Sequence, residues 1–166
     1  MERNQCALCE YRAKKWYLLV DAHMSNRQLS MILAFSCTGV YVLSLFLTAF
    51  VLASGEVWPG WLVLEVGWMG VLMLMFAWLA NVAGLVSFLL LALCDYGLAL
   101  MFTVIAFVLG LQSFFFKAVP YDNRVDYVDH LDVGFYVWML SFFLAALCCF
   151  AQLVQAKRKT RKTSGQ

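Results

Sequence analysis

Four long apolar stretches, each free of Asp, Glu, Lys, Arg and His, alternate with short polar segments along the chain. They run from Met31 to Ala53, within Val66 to Cys94, from Leu98 to Phe116 and from Val133 to Val154. A hydrocarbon core of about 30 Å takes about 20 helical residues to cross, so each stretch predicts one membrane span. The second exceeds one crossing, and the segment leading into it, "EVWPGWLVLEVGWMG", carries Pro59, Trp58, Trp61 and Trp68. Tryptophan gathers at membrane surfaces because its ring is apolar while its N–H seeks water. Residues 57–70 are therefore read as interfacial and 71–93 as the span. The pattern predicts an all-α polytopic membrane protein, a bundle of four transmembrane helices at 31–53, 71–93, 98–116 and 133–154. This membrane domain, 31–155, lies between an N-terminal tail, 1–30, and a basic tail, 156–166.

Within the spans, small or weakly polar residues recur on one face of each. They are Cys37, Tyr41, Ser44 and Thr48; Ala77, Asn81 and Gly84; Thr103, Ala106, Gly110 and Ser113; and Ser141, Ala145, Cys148 and Gln152. Lipid gives helices no hydrophobic reason to associate, so close approach at small residues and interhelical hydrogen bonds must hold a bundle together. Four such faces predict one converging core. Asn81 is the most polar side chain near mid-membrane, followed by Gln112 and Gln152, and an amide in hydrocarbon must turn inward to a partner. Thr103, Ser113 and Ser141 complete the candidate polar core, read as adhesive between helices rather than as a conduction path. Pumps and voltage sensors mark their paths with ionisable groups, and the spans carry none.

Composition agrees: 64% of the 166 residues are hydrophobic and 13% charged, against roughly half and a quarter in soluble domains. The distribution of charge sets the orientation. Arg3, Arg12, Lys14, Lys15 and Arg27 precede the first span, and Lys157, Arg158, Lys159, Arg161 and Lys162 follow the last. By the positive-inside rule both tails are cytoplasmic. The loops after spans one and three then face outward. The first apolar run has full membrane length, which excludes a cleavable leader. Met24 opens "MSNRQLSMILAF", an ordinary start for such a chain, and translation from it would omit residues 1–23.

Candidate chemistry is sparse. The outer loop "VPYDNRVDYVDHLDVGF" groups Asp122, Asp126, Asp129, His130 and Asp132. On a helical turn Asp122, Asp126, Asp129 and His130 would share a face and could hold a divalent cation. The solvated loop is the preferred reading, since charge excluded from lipid collects there, and no metal is assigned. Cys6 and Cys9 in "CALC" supply two of the four ligands a structural zinc needs, with His23 a distant third, and the spacing is read as coincidence. No cysteine lies in either outer loop, which opposes a disulfide-generating enzyme. There is no nucleophile motif and no phosphate loop, so no enzyme, catalytic residue or cofactor is expected. "KRKTRK" after the last span fits anionic lipid headgroups rather than nucleic acid.

The segments "LVLEVGWMGVLMLMFAWLANVAGL", "SFFFKAVPYD" and "VDHLDVGFYVWML" resemble a group of small bacterial four-span proteins that share a glycine–tryptophan stretch leading to Phe-Ala-Trp-Leu-Ala-Asn. The residues that carry the resemblance are Gly67, Trp68, Phe76, Ala77, Trp78, Asn81, Lys117, Gly134, Phe135, Tyr136 and Trp138. Val82 and the inner turn "CDYG" depart from it. The resemblance implies a bacterial inner membrane and no particular activity. The leading expectation is a non-enzymatic accessory protein that contacts a membrane partner or its own copies through Trp58, Trp61, Trp68 and the acidic loop. Two further classes stay open: a small transporter or channel lined by uncharged polar residues, and an immunity or exclusion protein against a membrane-active toxin or phage.

Overall fold

A computed structural model describes residues 27–71, 76–115, 118–121 and 124–164. The tail with Cys6, Cys9 and His23, together with Lys117 and Asp122, lies outside the described residues, as do positions 72–75 of the expected second span. The elements follow the order α1 (Arg27–Phe46), β1 (Thr48–Leu52), β2 (Val57–Pro59), α2 (Gly60–Val66), α3 (Trp68–Val71), a 3-10 turn (Phe76–Trp78), α4 (Leu79–Ala92), α5 (Tyr96–Leu111), a second 3-10 turn (Gln112–Phe115), β3 (Ala118–Tyr121), β4 (Arg124–Leu131) and α6 (Val133–Ser164).

Among the described residues, three helical segments are long and apolar enough to cross a membrane: Arg27–Phe46, Tyr96–Phe115 and Val133–Arg158. A shorter apolar helix, Phe76–Ala92, packs with them. Large apolar side chains such as Phe35, Phe46, Leu89, Leu93, Val108, Phe115 and Phe150 point outward, which is tolerable only against lipid. The chain is a membrane protein, predominantly helical.

The structure departs from the all-helical expectation in the segments after α1 and after α5. The apolar run from Met31 stops being helical at Phe46, and Thr48–Leu52 continues it as a strand. Together the two loops build one antiparallel sheet in the order β2-β1-β4-β3. β1 turns into β2 through Gly55, whose φ of 87° suits glycine. β1 then pairs with β4 from the other loop, with Val51 opposite His130 and Phe50 opposite Leu131. The sheet is seated directly on the helix ends. Gly60 donates its N–H to Leu47 O at 3.0 Å, and Asp132 donates to Ala49 O at 2.8 Å. A Cβ on Gly60 would lie 2.6 Å from Ser44 O, and one on Gly134 2.5 Å from Thr48 O. Glycine at these two positions lets α2 meet the last turn of α1 and α6 meet the start of β1.

At the opposite end α4 and α5 form a tight hairpin. Asp95 N–H bonds Leu90 O and Cys94 N–H bonds Leu91 O, the paired bonds of a Schellman motif, with Cys94 at a φ of 65° where glycine is usual. Asp95 then caps α5 by accepting from the Leu98 N–H at 3.2 Å. The bundle core consists of Cys37 and Tyr41 from α1, Ala80, Ala83 and Phe88 from α4, Ala106 from α5, and Phe135, Met139, Phe142 and Ala145 from α6. A second layer toward the tails joins Ala34, Leu91, Ala99 and Cys149. Helices approach closely where a glycine faces a large side chain: a Cβ on Gly84 would collide with the Phe142 ring, and one on Gly110 would lie 2.7 Å from Met139 Sδ.

Candidate functional site

The polar residues of the bundle are arranged around Asn81. Its Oδ1 accepts from the Tyr41 hydroxyl at 3.0 Å and from Trp138 Nε1 at 2.9 Å, so one amide ties α1, α4 and α6 together. An indole N–H can only donate, which fixes the carbonyl oxygen on that side and the NH2 on the other. Asn81 is 8% exposed, and its NH2 group has no hydrogen-bond partner among the described residues. The sequence placed this amide near mid-membrane. It stands instead close under the sheet: Tyr41 lies five residues before the end of α1 and Trp138 five after the start of α6, about 7–8 Å from either helix end.

Deeper in the bundle the hydroxyls bond locally. Ser87 and Thr103 bond each other across α4 and α5 while both reach Ala99 O, and Ser141 donates to Trp138 O at 2.7 Å. Gln152 is buried, whereas Gln112 and Ser113 are half-buried at the outer end of α5. Thr103, Ser141, Gln152 and Asn81 thus all sit in the interior, without forming a continuous polar line.

Beneath the sheet, and bounded below by Asn81, is a partly open cavity of about 140 Å³. Phe50 and Trp58 contribute from the sheet, stacked at 5.3 Å between ring centroids. Trp78, Phe135 and Trp138 contribute from the helices, and Val63, Leu64 and Met69 from α2 and α3. Trp78 fixes the outer wall by donating its indole N–H to Leu64 O at 2.9 Å, and a Cβ on Gly67 would lie 2.7 Å from that indole. The lining is overwhelmingly apolar, with Asn81, Ser44 and Ser113 its hydrogen-bonding side chains besides the indoles. Of these, Ser44 is already committed to Tyr41 O at 2.6 Å. The cavity was missed in the sequence because its walls come from five separate segments. Its indoles were visible as isolated tryptophans, with no indication that they converge.

The three tryptophans of the interfacial segment divide. Trp58 is 1% exposed and belongs to the cavity wall, while Trp61 and Trp68 are half-exposed on α2 and α3. The acidic loop is strand rather than helix, so the shared helical face proposed for Asp126, Asp129 and His130 does not form. Asp129 Oδ2 lies 2.8 Å from His130 Nδ1 on the exposed surface, and Asp126 accepts from the Tyr127 N–H. Asp132 accepts from the Val133 N–H at 2.7 Å and so starts α6. Among the described residues, no three His, Cys, Asp or Glu side chains are grouped to hold a metal ion. No family model, curated protein or solved structure matches this chain.

Proposed function

We propose that the chain is a four-span protein of the bacterial cytoplasmic membrane, with both tails inside, that works by contacting a membrane partner rather than by catalysis. The observation that supports this reading is the sheet. Two loops are spent on building a rigid four-stranded platform, welded to the helix ends, with β2 and β3 as its outermost strands among the described residues. Tyr127, Asp129 and His130 are exposed on β4 and Val57 on β2. A contact surface needs this kind of rigidity.

The four-span count rests on length. Phe76–Ala92 covers about 25–27 Å by helical rise, nearly the hydrocarbon thickness, so a fourth crossing needs only a few further residues. A conducting role is less favoured. The cavity stops at Asn81, and below it Phe88, Leu91, Ala99, Phe142 and Cys149 close the bundle with little or no exposed surface.

Native mass spectrometry of protein gently released from its own membrane tests the reading. A second protein in fixed ratio, lost from the Tyr127→Asp variant, is expected. Protein that stays alone while carrying ions or solutes across proteoliposome membranes would replace the contact reading with the transporter.

A further inference from the structure

The cavity under the sheet has the build of a ligand site, independent of which partner the sheet contacts. Five aromatic side chains, Phe50, Trp58, Trp78, Phe135 and Trp138, line it, and the Asn81 amide closes its inner end. Its volume of about 140 Å³ is close to that of an apolar protein cavity of about 150 Å³ that takes up one benzene ring. Trp138 and Tyr41 hold the Asn81 oxygen, which leaves its NH2 as a donor at the inner end of a partly open, apolar cavity. A donor held this way selects a ligand with a hydrogen-bond acceptor, because an apolar occupant would leave it unmade. The aromatic lining selects shape. Ring faces carry negative charge density, so they favour stacking with a flat, electron-poor ring over contact with a flexible chain.

Met69 lines the cavity and is 40% exposed, so the wall at α3 is one side chain thick. Trp61 and Trp68 on the same two short helices are exposed beside it and place this wall at the membrane surface. We propose that the cavity binds the ring of a membrane-dissolved carbonyl compound of the quinone class, its ring among the indoles, one carbonyl on the Asn81 NH2, and its apolar tail leaving past Met69 into the bilayer. No redox step is implied.

The test uses the whole protein in lipid nanodiscs titrated with a decyl-substituted benzoquinone, with decanol as the chain without the ring. Saturable quenching of tryptophan fluorescence and a rise in melting temperature are expected from the quinone and neither from decanol. Val63→Phe fills the cavity from α2 and leaves the Asn81, Tyr41 and Trp138 hydrogen bonds in place. It should weaken binding about tenfold or more. Met69→Trp, which narrows the wall from an exposed position, should do the same if Val63→Phe fails to fold. Quenching equal in wild type and the filled variant, or an equal melting shift with decanol, would overturn the proposal: the first shows partition into lipid only, the second a site for hydrocarbon chains.

Discussion

At the scale of single residues, Asn81 holds more of the outer bundle than any other side chain. Magnitudes separate its role from that of its partners. Hydrogen bonds between membrane helices are worth about 0.6 kcal/mol on average and up to about 1.7, so Tyr41→Phe, which removes one donor and leaves Trp138 bonded, should destabilise by about that amount. Asn81→Leu removes the common acceptor and strands two donors, each costing about 1–3 kcal/mol when buried without a partner. It should therefore destabilise by about 2–6 kcal/mol, and thermal melts of the two variants in one lipid environment check the ratio. Equal losses would mean that the Tyr41 bond carries the whole tie and the Trp138 bond adds nothing. That Asn81 turns inward was legible, because an amide in hydrocarbon has no other option. Its depth was not. The span read as 71–93 is centred on residue 82, whereas the apolar helix described begins at Phe76, five residues before Asn81, so the amide lies in the half of that helix nearer the sheet.

At the scale of elements, most of the periodic small residues mark buried faces, Thr48 excepted because it lies in β1, and glycine contacts show why. Gly84 and Gly39 make a controlled pair: a Cβ at Gly84 meets the Phe142 ring, while at Gly39 nothing lies within 4 Å. Gly84→Ala forces α4 from α6 and should lower stability by about 1–3 kcal/mol, the usual range for overpacking. Gly39→Ala lies on a lipid-facing side of α1 and should leave stability unchanged or raise it by up to about 1 kcal/mol through helix propensity. Unfolding in graded denaturing detergent reads both, and a loss at Gly39 that matches the one at Gly84 would show that the glycines act through backbone flexibility instead. The sheet was harder to see. "TAFVL" in β1 continues an apolar run without a break, and a short apolar strand cannot be told from helix by periodicity alone. "RVDYVDHL" in β4 did carry a signal, since β-branched and aromatic residues interleave with charge, but its Asp and His positions also fit a helical spacing.

At the scale of the whole molecule, charge and sheet together constrain how the chain sits in the membrane. Ten of the twelve Lys and Arg residues lie in two clusters toward the chain ends, five up to Arg27 and five from Lys157 on, and moving them across would cost far more than moving the acidic loops. The sheet adds a condition that charge alone cannot supply. β1 and β4 are hydrogen-bonded neighbours, so the loops after α1 and after α5 must lie on one side of the bilayer, and each pair of helices between and around them must return to it. In a background without the six native cysteines, Glu56→Cys and Asp129→Cys should react with a membrane-impermeant maleimide in intact cells, at similar rates. Lys157→Cys should react only after the membrane is opened. Reaction of Lys157→Cys in intact cells with protection of the other two would reverse the orientation while leaving the sheet intact. Opposite behaviour of Glu56→Cys and Asp129→Cys is incompatible with strand pairing between the two loops. Since the cavity under β1 and β4 exists only if those strands meet, this labelling pattern also decides whether the aromatic enclosure around Asn81 can form.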